Sequence, residues 1–317
     1  MIWLRIRLAM KSPVAAKSAL ATPWQADTVW GHLAWALRYT RGEAALDAFL
    51  KRYRDGQPPL LVSDGFPDDL LPRPLAPGGQ PDTGKPLAEQ VKAFDAARER
   101  RRPAYVTADG FSAYLRSEEP EGTAETPKGW GWRSVLKNQV SRTEATAGAE
   151  GGTLYPMDEL WWRKVTIYAL ADEGFVDETR ALFDYLAIEG YGKRRSIGYG
   201  AVRSLRVEQF EGFDPPGDAN GFVSLSTFVP GPDDPTDGFW NVLVKYGRLG
   251  EEYAYGPNPF KRPLVMLAAG STFYDTPIRT FYGRLIEGIS PACPEVMHYG
   301  YALPVAMKLP EEGAKGV

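Results

Sequence analysis

The 317-residue sequence holds one cysteine, Cys293, and two histidines, His32 and His298. A single cysteine excludes an internal disulfide framework and any multi-cysteine zinc site. No run approaches the ~18 apolar residues a membrane span needs. The start, Met1-Ile2-Trp3-Leu4-Arg5-Ile6-Arg7, lacks the long apolar stretch and small-residue cleavage site of a signal peptide. HExxH, GxSxG, Walker and paired Cys/His motifs are also missing. Together these absences predict a cytoplasmic protein with no membrane attachment. An excess of positive charge is missing too: 37 Lys and Arg stand against 40 Asp and Glu, a net charge of −3. A free-standing nucleic-acid-binding domain is usually strongly basic, so any such role has to rest on local charge.

Local charge is what the sequence offers. The run Gly190-Tyr191-Gly192-Lys193-Arg194-Arg195-Ser196-Ile197-Gly198-Tyr199-Gly200 sets three consecutive cations between glycine-bracketed tyrosines. Glycine permits positive φ and close approach of a ligand to the backbone. Successive amide N–H groups in such a loop line an anion-binding concavity. Tyrosine rings add stacking faces, so the loop suits a polyanion with bases. A flexible hinge with a solvated basic tip is the other reading. Arg203 and Arg206 extend the basic track beyond the loop, and Arg98, Arg100, Arg101 and Arg102 form a second cluster, which reads as a solvated helix face. Acids gather elsewhere, as at Asp68-Asp69, Glu118-Glu119, Asp233-Asp234 and Glu251-Glu252. A basic track on a mildly acidic body fits a subunit of a larger assembly.

Periodicity places the loop. Ile2, Leu4, Ile6, Leu8 and Met10 alternate with polar or bulky neighbours, the period-two mark of a half-buried strand. A polar linker spans 11–26, and Asp27 reads as the N-cap of a helix carrying Val29, Trp30, Leu33, Ala34 and Leu37. A second helix runs from Glu43 to Asp55, ended by Gly56. Leu60-Leu61-Val62 is a short strand. Residues 72–86 form a Pro/Gly-rich loop, 104–117 a short strand and helix, and 118–153 a long irregular segment containing Trp130, Trp132 and Lys137. The two tryptophans fit local packing or a partner contact equally. A strand through Val165, Ile167 and Ala169, a helix from Thr179 to Glu189 and a strand through Val202, Leu205 and Val207 follow. Strand, helix, strands, helix, strand is the order of an α+β ferredoxin-like (RRM-like) unit with an elaborated middle. The Pro/Gly-rich stretch 213–221 reads as a boundary. Strands at 222–229, 240–246, 264–269 and 299–307 predict a β-rich second unit.

Four segments together carry a family resemblance. They are Asp27-Thr28-Val29-Trp30-Gly31-His32 at the first helix, Asn138-Gln139-Val140-Ser141-Arg142-Thr143 in the middle, the glycine loop, and Gly270-Ser271-Thr272-Phe273 with His298-Tyr299-Gly300-Tyr301-Ala302 near the end. With these the chain resembles the RAMP superfamily of CRISPR proteins, nearly end to end. More narrowly it resembles the type III-A (Csm) effector subunit that grips the 5′ tag of the crRNA. The resemblance implies two ferredoxin-like domains, 1–212 with the glycine loop and a thumb-like insertion, and 213–317. It implies no cofactor, no catalysis and no small-molecule substrate. The implied partners are the crRNA tag, the palm-domain large subunit and the backbone subunit. Ser141-Arg142-Thr143-Glu144 departs from the Asp-Arg-Thr-Gly frequent in relatives, and Lys137 stands where a histidine is frequent. Asn138, Arg142 and Thr143 match.

On this reading Lys193, Arg194 and Arg195 are phosphate ligands, and Gly190, Gly192, Gly198 and Gly200 admit the strand. Ser196 hydrogen-bonds a base or ribose. Tyr199 and Tyr191 either stack on bases or pack internally. Lys137, Asn138, Arg142 and Thr143 approach from the middle segment, and Lys17 and Ser18 from the loop after the first strand. Single strands are gripped by this mixture of cations, amides and aromatic faces. His32 admits an alternative, because repeat endonucleases of the superfamily use a histidine of the first helix region as general acid or base. A lone histidine without a partner is weak evidence for catalysis, and its place near Val29 and Ala36 on the helix favours a packed or capping residue. His298, on a strand near the end, reads as structural.

Overall fold

The computed structural model describes residues 1–16, 24–76, 84, 86–92, 95, 104–118, 130–138 and 154–310. The chain combines α-helices and β-strands, as expected. The first strand, β1 (Ile2–Met10), buries Leu4, Ile6 and Leu8 and turns Trp3, Arg5 and Arg7 to its other face. A short strand, β2 (Val14–Ala16), occupies part of the segment expected to be a linker. Two helices follow, α1 (Ala26–Arg41) and α2 (Glu43–Arg54). Beyond them are β3 (Leu60–Pro67), β4 (Leu71–Pro72), β5 (Tyr105–Val106) and helix α3 (Ala108–Leu115), capped by the Thr107 hydroxyl accepting the Gly110 N–H.

The middle segment is less irregular than its composition predicts. Gly131–Asn138 forms β6, paired antiparallel with β7 (Leu154–Trp161) from Gly131↔Trp161 to Asn138↔Leu154. β7 also pairs with β2, giving a three-stranded sheet in the order β2-β7-β6. Glycine content hid this ribbon, because strand pairing depends on a partner fifteen or more residues away. Trp130 packs flat on Trp162 with ring centroids 4.7 Å apart, while Trp132 is exposed.

Strand β8 (Lys164–Ala171) is buried along nearly its whole length. Helix α4 (Val176–Glu189) and strand β9 (Val202–Gln209) complete the first unit. Its four main strands form one antiparallel sheet in the order β3-β8-β1-β9. Helices α1 and α4 cover one face, with Val29, Leu33, Leu182 and Leu186 among the buried residues. The glycine loop lies between α4 and the edge strand β9, where the sequence put it.

The second unit carries β10 (Gly221–Ser224), β11 (Gly238–Phe239), β12 (Val242–Lys245), β13 (Leu264–Leu267), β14 (Thr272–Tyr274), β15 (Tyr282–Ile286), β16 (His298–Ala302) and β17 (Pro304–Met307). They pair as β11-β14-β10-β17, β12-β13 and β15-β16. No α-helix occurs among the described residues of 213–310. The β-rich expectation holds, but the crossover helices of a ferredoxin-like unit are not found there.

The two units share a core. Trp30 of α1 stacks on Phe49 of α2 and on Tyr299 of β16, and Tyr53 meets Tyr301 at 5.5 Å. Asp27 is not the N-cap of α1. The helix begins at Ala26, whose N–H is accepted by the buried Asp64 carboxylate at 2.8 Å. Asp64 also accepts from the Thr227 N–H and hydroxyl, tying β3, the start of α1 and the second unit together. Asp27 is buried and accepts from Lys245 Nζ at 2.6 Å, with His298 Nε2 3.6 Å away. Burial alone would raise the Asp27 pKa, but Lys245, His298 and Lys261 outweigh it and hold it low.

Candidate nucleic-acid interface

The glycine loop closes on itself before it meets anything else. Tyr191 N–H donates to the Gly200 carbonyl at 2.9 Å, forming a neck. Gly200 N–H donates to the Pro13 carbonyl and Lys11 N–H to the Ala201 carbonyl, both at 2.8 Å. The Ser12 hydroxyl accepts the Ala201 N–H at 2.8 Å. The base of the loop is thus sewn to the chain that joins β1 to β2. Gly200, at φ 64°, has no room for a side chain, since a Cβ would overlap the Tyr191 carbonyl. Gly190 and Gly200 therefore serve the neck itself and are buried.

Inside the neck Tyr191 is a packed residue. Its ring stacks on Trp24 with centroids 3.6 Å apart and planes 12° apart, and burial pushes its phenol pKa well up. Of the two readings the sequence left open, packing is the one found for Tyr191. His32 supports the loop from α1: its Nε2 accepts the Gly192 N–H at 3.0 Å. Burial, with the nearby Arg195 guanidinium, lowers the His32 pKa to about 3, so the ring is neutral near pH 7 and its Nε2 lone pair is engaged. That is a capping role for His32.

Past the neck the tip is exposed. Arg194 adopts φ 65° and a single 3-10 turn spans Arg195–Ile197, closed by Gly198 at φ 91°. Lys193, Arg194, Ser196 and Gly198 face solvent. Arg195 is held by an ion pair with Glu251, itself at φ 50° in the second unit. The cation triplet is therefore divided, with Lys193 and Arg194 outward and Arg195 anchored.

The β6–β7 ribbon faces the loop. Tyr199 donates its hydroxyl to Glu159 of β7 at 2.5 Å, and Lys137 of β6 lies 4.0 Å from the same carboxylate. Lys137 Nζ sits 6.0 Å from the Tyr199 ring centroid, and the Arg194 guanidinium 5.9 Å from that of Tyr155. Burial and the bond to Glu159 raise the Tyr199 pKa, keeping it a proton donor. Two cations and two rings from sequence-distant elements thus stand together. Sequence reasoning gave Tyr155, Glu159 and Glu251 no role at the site. Only the register Lys137↔Tyr155 shows that β7 brings Tyr155 to the loop. Asn138 is exposed at the end of β6. Lys17, Ser18, Arg142 and Thr143 lie outside the described residues, as does the Arg98–Arg102 cluster.

No family model and no curated protein matches this chain. Solved structures do. One chain of a Csm1–Csm4 cassette in complex with cA4 aligns with a TM-score of 0.64 at 19% identity, over 98% of this chain and 100% of that one. One chain of a Csm3–Csm4 subcomplex from the type III-A CRISPR–Cas interference complex aligns at a TM-score of 0.56 and 12% identity, with the same coverages. Csm4 is the component the two assemblies have in common. The fold is Csm4-like. At this identity the shared property is the fold, and a Csm4-like fold spanning the whole chain agrees with the RAMP resemblance of its four motif segments.

Proposed function

We propose that this chain is a non-catalytic, cofactor-free subunit of a cytoplasmic type III-A CRISPR RNA-guided interference complex. In antiviral defence it binds the 5′ tag of the crRNA and joins the palm-domain large subunit to the backbone filament. The observation that carries this reading is the fold match along the full chain to a protein found with Csm1 in one structure and with Csm3 in another. Division into a ferredoxin-like domain 1–212 and a related β-rich domain 213–317 belongs to the same proposal. The strand order β3-β8-β1-β9 with α1 and α4 on one face supports the first half of it.

The tag lies over the loop tip, where Lys193, Arg194, Lys137, Ser196, Gly192 and Tyr199 contact it and Gly198 keeps the tip free of bulk. Asn138, at the end of the ribbon, contacts it too, and Arg142, Thr143, Lys17 and Ser18, outside the described residues, complete the proposed contact set. Arg195 contributes through its anchor to Glu251. Tag-RNA binding measured across a salt series tests the arrangement. Arg194→Ala is expected to weaken binding and to reduce the salt slope by about 0.7, the share of one phosphate contact on a single strand. An unchanged affinity and slope would remove the loop tip from the site.

A further inference from the structure

The second unit presents a face that the proposed tag site does not use. Strand β12 pairs with β13 through Val244↔Val265 and Lys245↔Leu264. The pairing continues past the strands: Lys261 N–H donates to the Gly247 carbonyl, Arg248 bridges Phe260, and Leu249 N–H donates to the Pro259 carbonyl. Exposure alternates from Val242 to Leu249, and the facing strand is exposed at Phe260, Arg262, Pro263 and Val265. Leu243, Lys245, Leu249 and Met266 turn inward, while Val242, Val244, Tyr246, Arg248, Phe260, Arg262 and Val265 turn outward. Residues opposite one another in an antiparallel pair share a face, and so do residues two apart on one strand.

The outward face therefore has two halves. Near the body it is aliphatic, with Val242, Val244 and Val265. Further out, Tyr246 and Arg248 are exposed two residues apart on one strand, Arg248 is bridged to Phe260 of the other, and Arg262 is exposed two residues beyond Phe260. The Arg248 guanidinium lies 5.9 Å from the Phe260 ring centroid. Tyr246 is 77% exposed, Phe260 61%, and Tyr255 at the ribbon's end 92%. The only acids between Val242 and Val265 are Glu251 and Glu252, and both are neutralised, by Arg195 and Arg38.

We infer that the Tyr246–Arg248–Phe260–Arg262 face is a second single-stranded RNA contact, on which bases stack and phosphates pair with the two guanidiniums. Any base can stack on an open ring, so the contact is tolerant of sequence. Its charge suits a polyanion, since no unpaired acid stands among its rings. It also adjoins the glycine loop, because Glu251 at the ribbon's end holds Arg195 of the loop. A strand leaving the loop tip meets this face next. The inference rests on the proposed RNA-binding function and extends its path.

Two variants of the full chain separate this inference from the tag-site reading. Tyr246→Ala with Phe260→Ala removes two exposed rings, and Arg194→Ala removes the loop-tip cation. The probe is single-stranded RNA made of the crRNA tag followed by guide nucleotides, compared with the tag alone, in fluorescence anisotropy. The ring variant is expected to bind the longer RNA about tenfold or more weakly, since one stacked base is worth roughly five- to 150-fold. Its affinity for the tag alone stays near that of the parent, whereas Arg194→Ala weakens both RNAs. Arg248→Ala with Arg262→Ala is expected to lower the salt slope for the longer RNA by about 1.4, twice the single-contact value. If Arg194→Ala weakens binding while the ring variant binds the longer RNA as the parent does, the second contact is overturned and the tag site stands. A ring variant that loses affinity while Arg194→Ala does not supports the contact and overturns the loop site. A ring variant with parental RNA affinity that no longer captures the recombinant large subunit assigns this face to a protein and overturns the inference.

Discussion

At the scale of single residues, Gly200 and His32 hold the loop neck through different physics. Gly200 stands at φ 64° against the Tyr191 carbonyl, so Gly200→Ala combines left-handed strain with a backbone overlap. The expected result is a loss of about 2 kcal/mol or more in urea unfolding, together with weakened RNA binding as the tip shifts. Gly198→Ala meets no neighbouring atom and should lose only the ~1–2 kcal/mol of its φ preference. His32→Ala leaves the Gly192 N–H without its acceptor, a penalty of about 1–3 kcal/mol where water cannot replace it. The histidines also set a pH dependence. Burial, opposed by Asp27 and reinforced by Lys261 and Lys245, lowers the His298 pKa to about 4, and His32 falls to about 3. Unfolded histidine protonates near 6.5, so below that pH the unfolded chain binds more protons. Stability is therefore full above pH 6.5 and falls as the pH drops toward 4, by at most ~1.4 kcal/mol per pH unit for each histidine. Thermal melts between pH 7.5 and 4.5 measure this slope, and His32→Gln should make it shallower. The glycines and cations of the loop were legible in the sequence because a composition of that kind has few local explanations. That Tyr191 packs while Tyr199 faces the ribbon was not, because both sit in the same Gly-Tyr-Gly context.

At the scale of elements, helix α1 is capped from outside itself. The Asp64 carboxylate, buried on β3, accepts from Ala26 of α1 and twice from Thr227 of the second unit. Asp64→Ala removes three hydrogen bonds to a charged group and leaves two backbone donors buried. The expected loss is about 3 kcal/mol or more, with Asp64→Asn losing less because one oxygen remains. Asp27, which the local pattern offered as the cap, instead pairs with Lys245 of β12. Lys245→Met leaves that buried carboxylate without its main partner and should destabilise by about 3–5 kcal/mol, read from denaturant midpoints. Sequence periodicity located α1, yet set its cap at Asp27, two residues past the observed cap at Gln25. A cap donated by a residue 38 positions away has no local signature. The β6–β7 ribbon was hidden for the same reason, since its register links Lys137 to Tyr155 across a polar stretch that resembles a loop.

At the scale of the whole molecule, one hydrophobic core runs through both units. It joins Leu4, Ile6, Trp30 and Tyr53 to Val223, Leu225, Tyr299, Leu303 and Leu309. Among the described residues, a small second cluster around Phe222, Phe228, Phe273 and Tyr282 lies within the second unit alone. Differential scanning calorimetry of the full chain is accordingly expected to show a single transition. Residues 1–212 expressed alone should be unfolded or aggregated, because Trp30 would lose Tyr299 and Tyr53 would lose Tyr299 and Tyr301. Two resolved transitions would show instead that the units are energetically independent.

The chain's local patterns sufficed for the helices and four main strands of the first unit, the β-rich character of the second and the position of the glycine loop. Those features depend on side chains within a few residues of one another, through alternation, helical spacing and backbone freedom at glycine. Tertiary structure alone decided which cation of the triplet is anchored, which tyrosine is buried, and that the ribbon's Lys137 and Tyr155 meet Arg194 and Tyr199. It also decided that a β-ribbon of the second unit turns an acid-free face of rings and guanidiniums outward beside the loop. Each of these rests on pairing between distant segments, and the free energy of such pairing belongs to the assembled core rather than to any stretch of sequence.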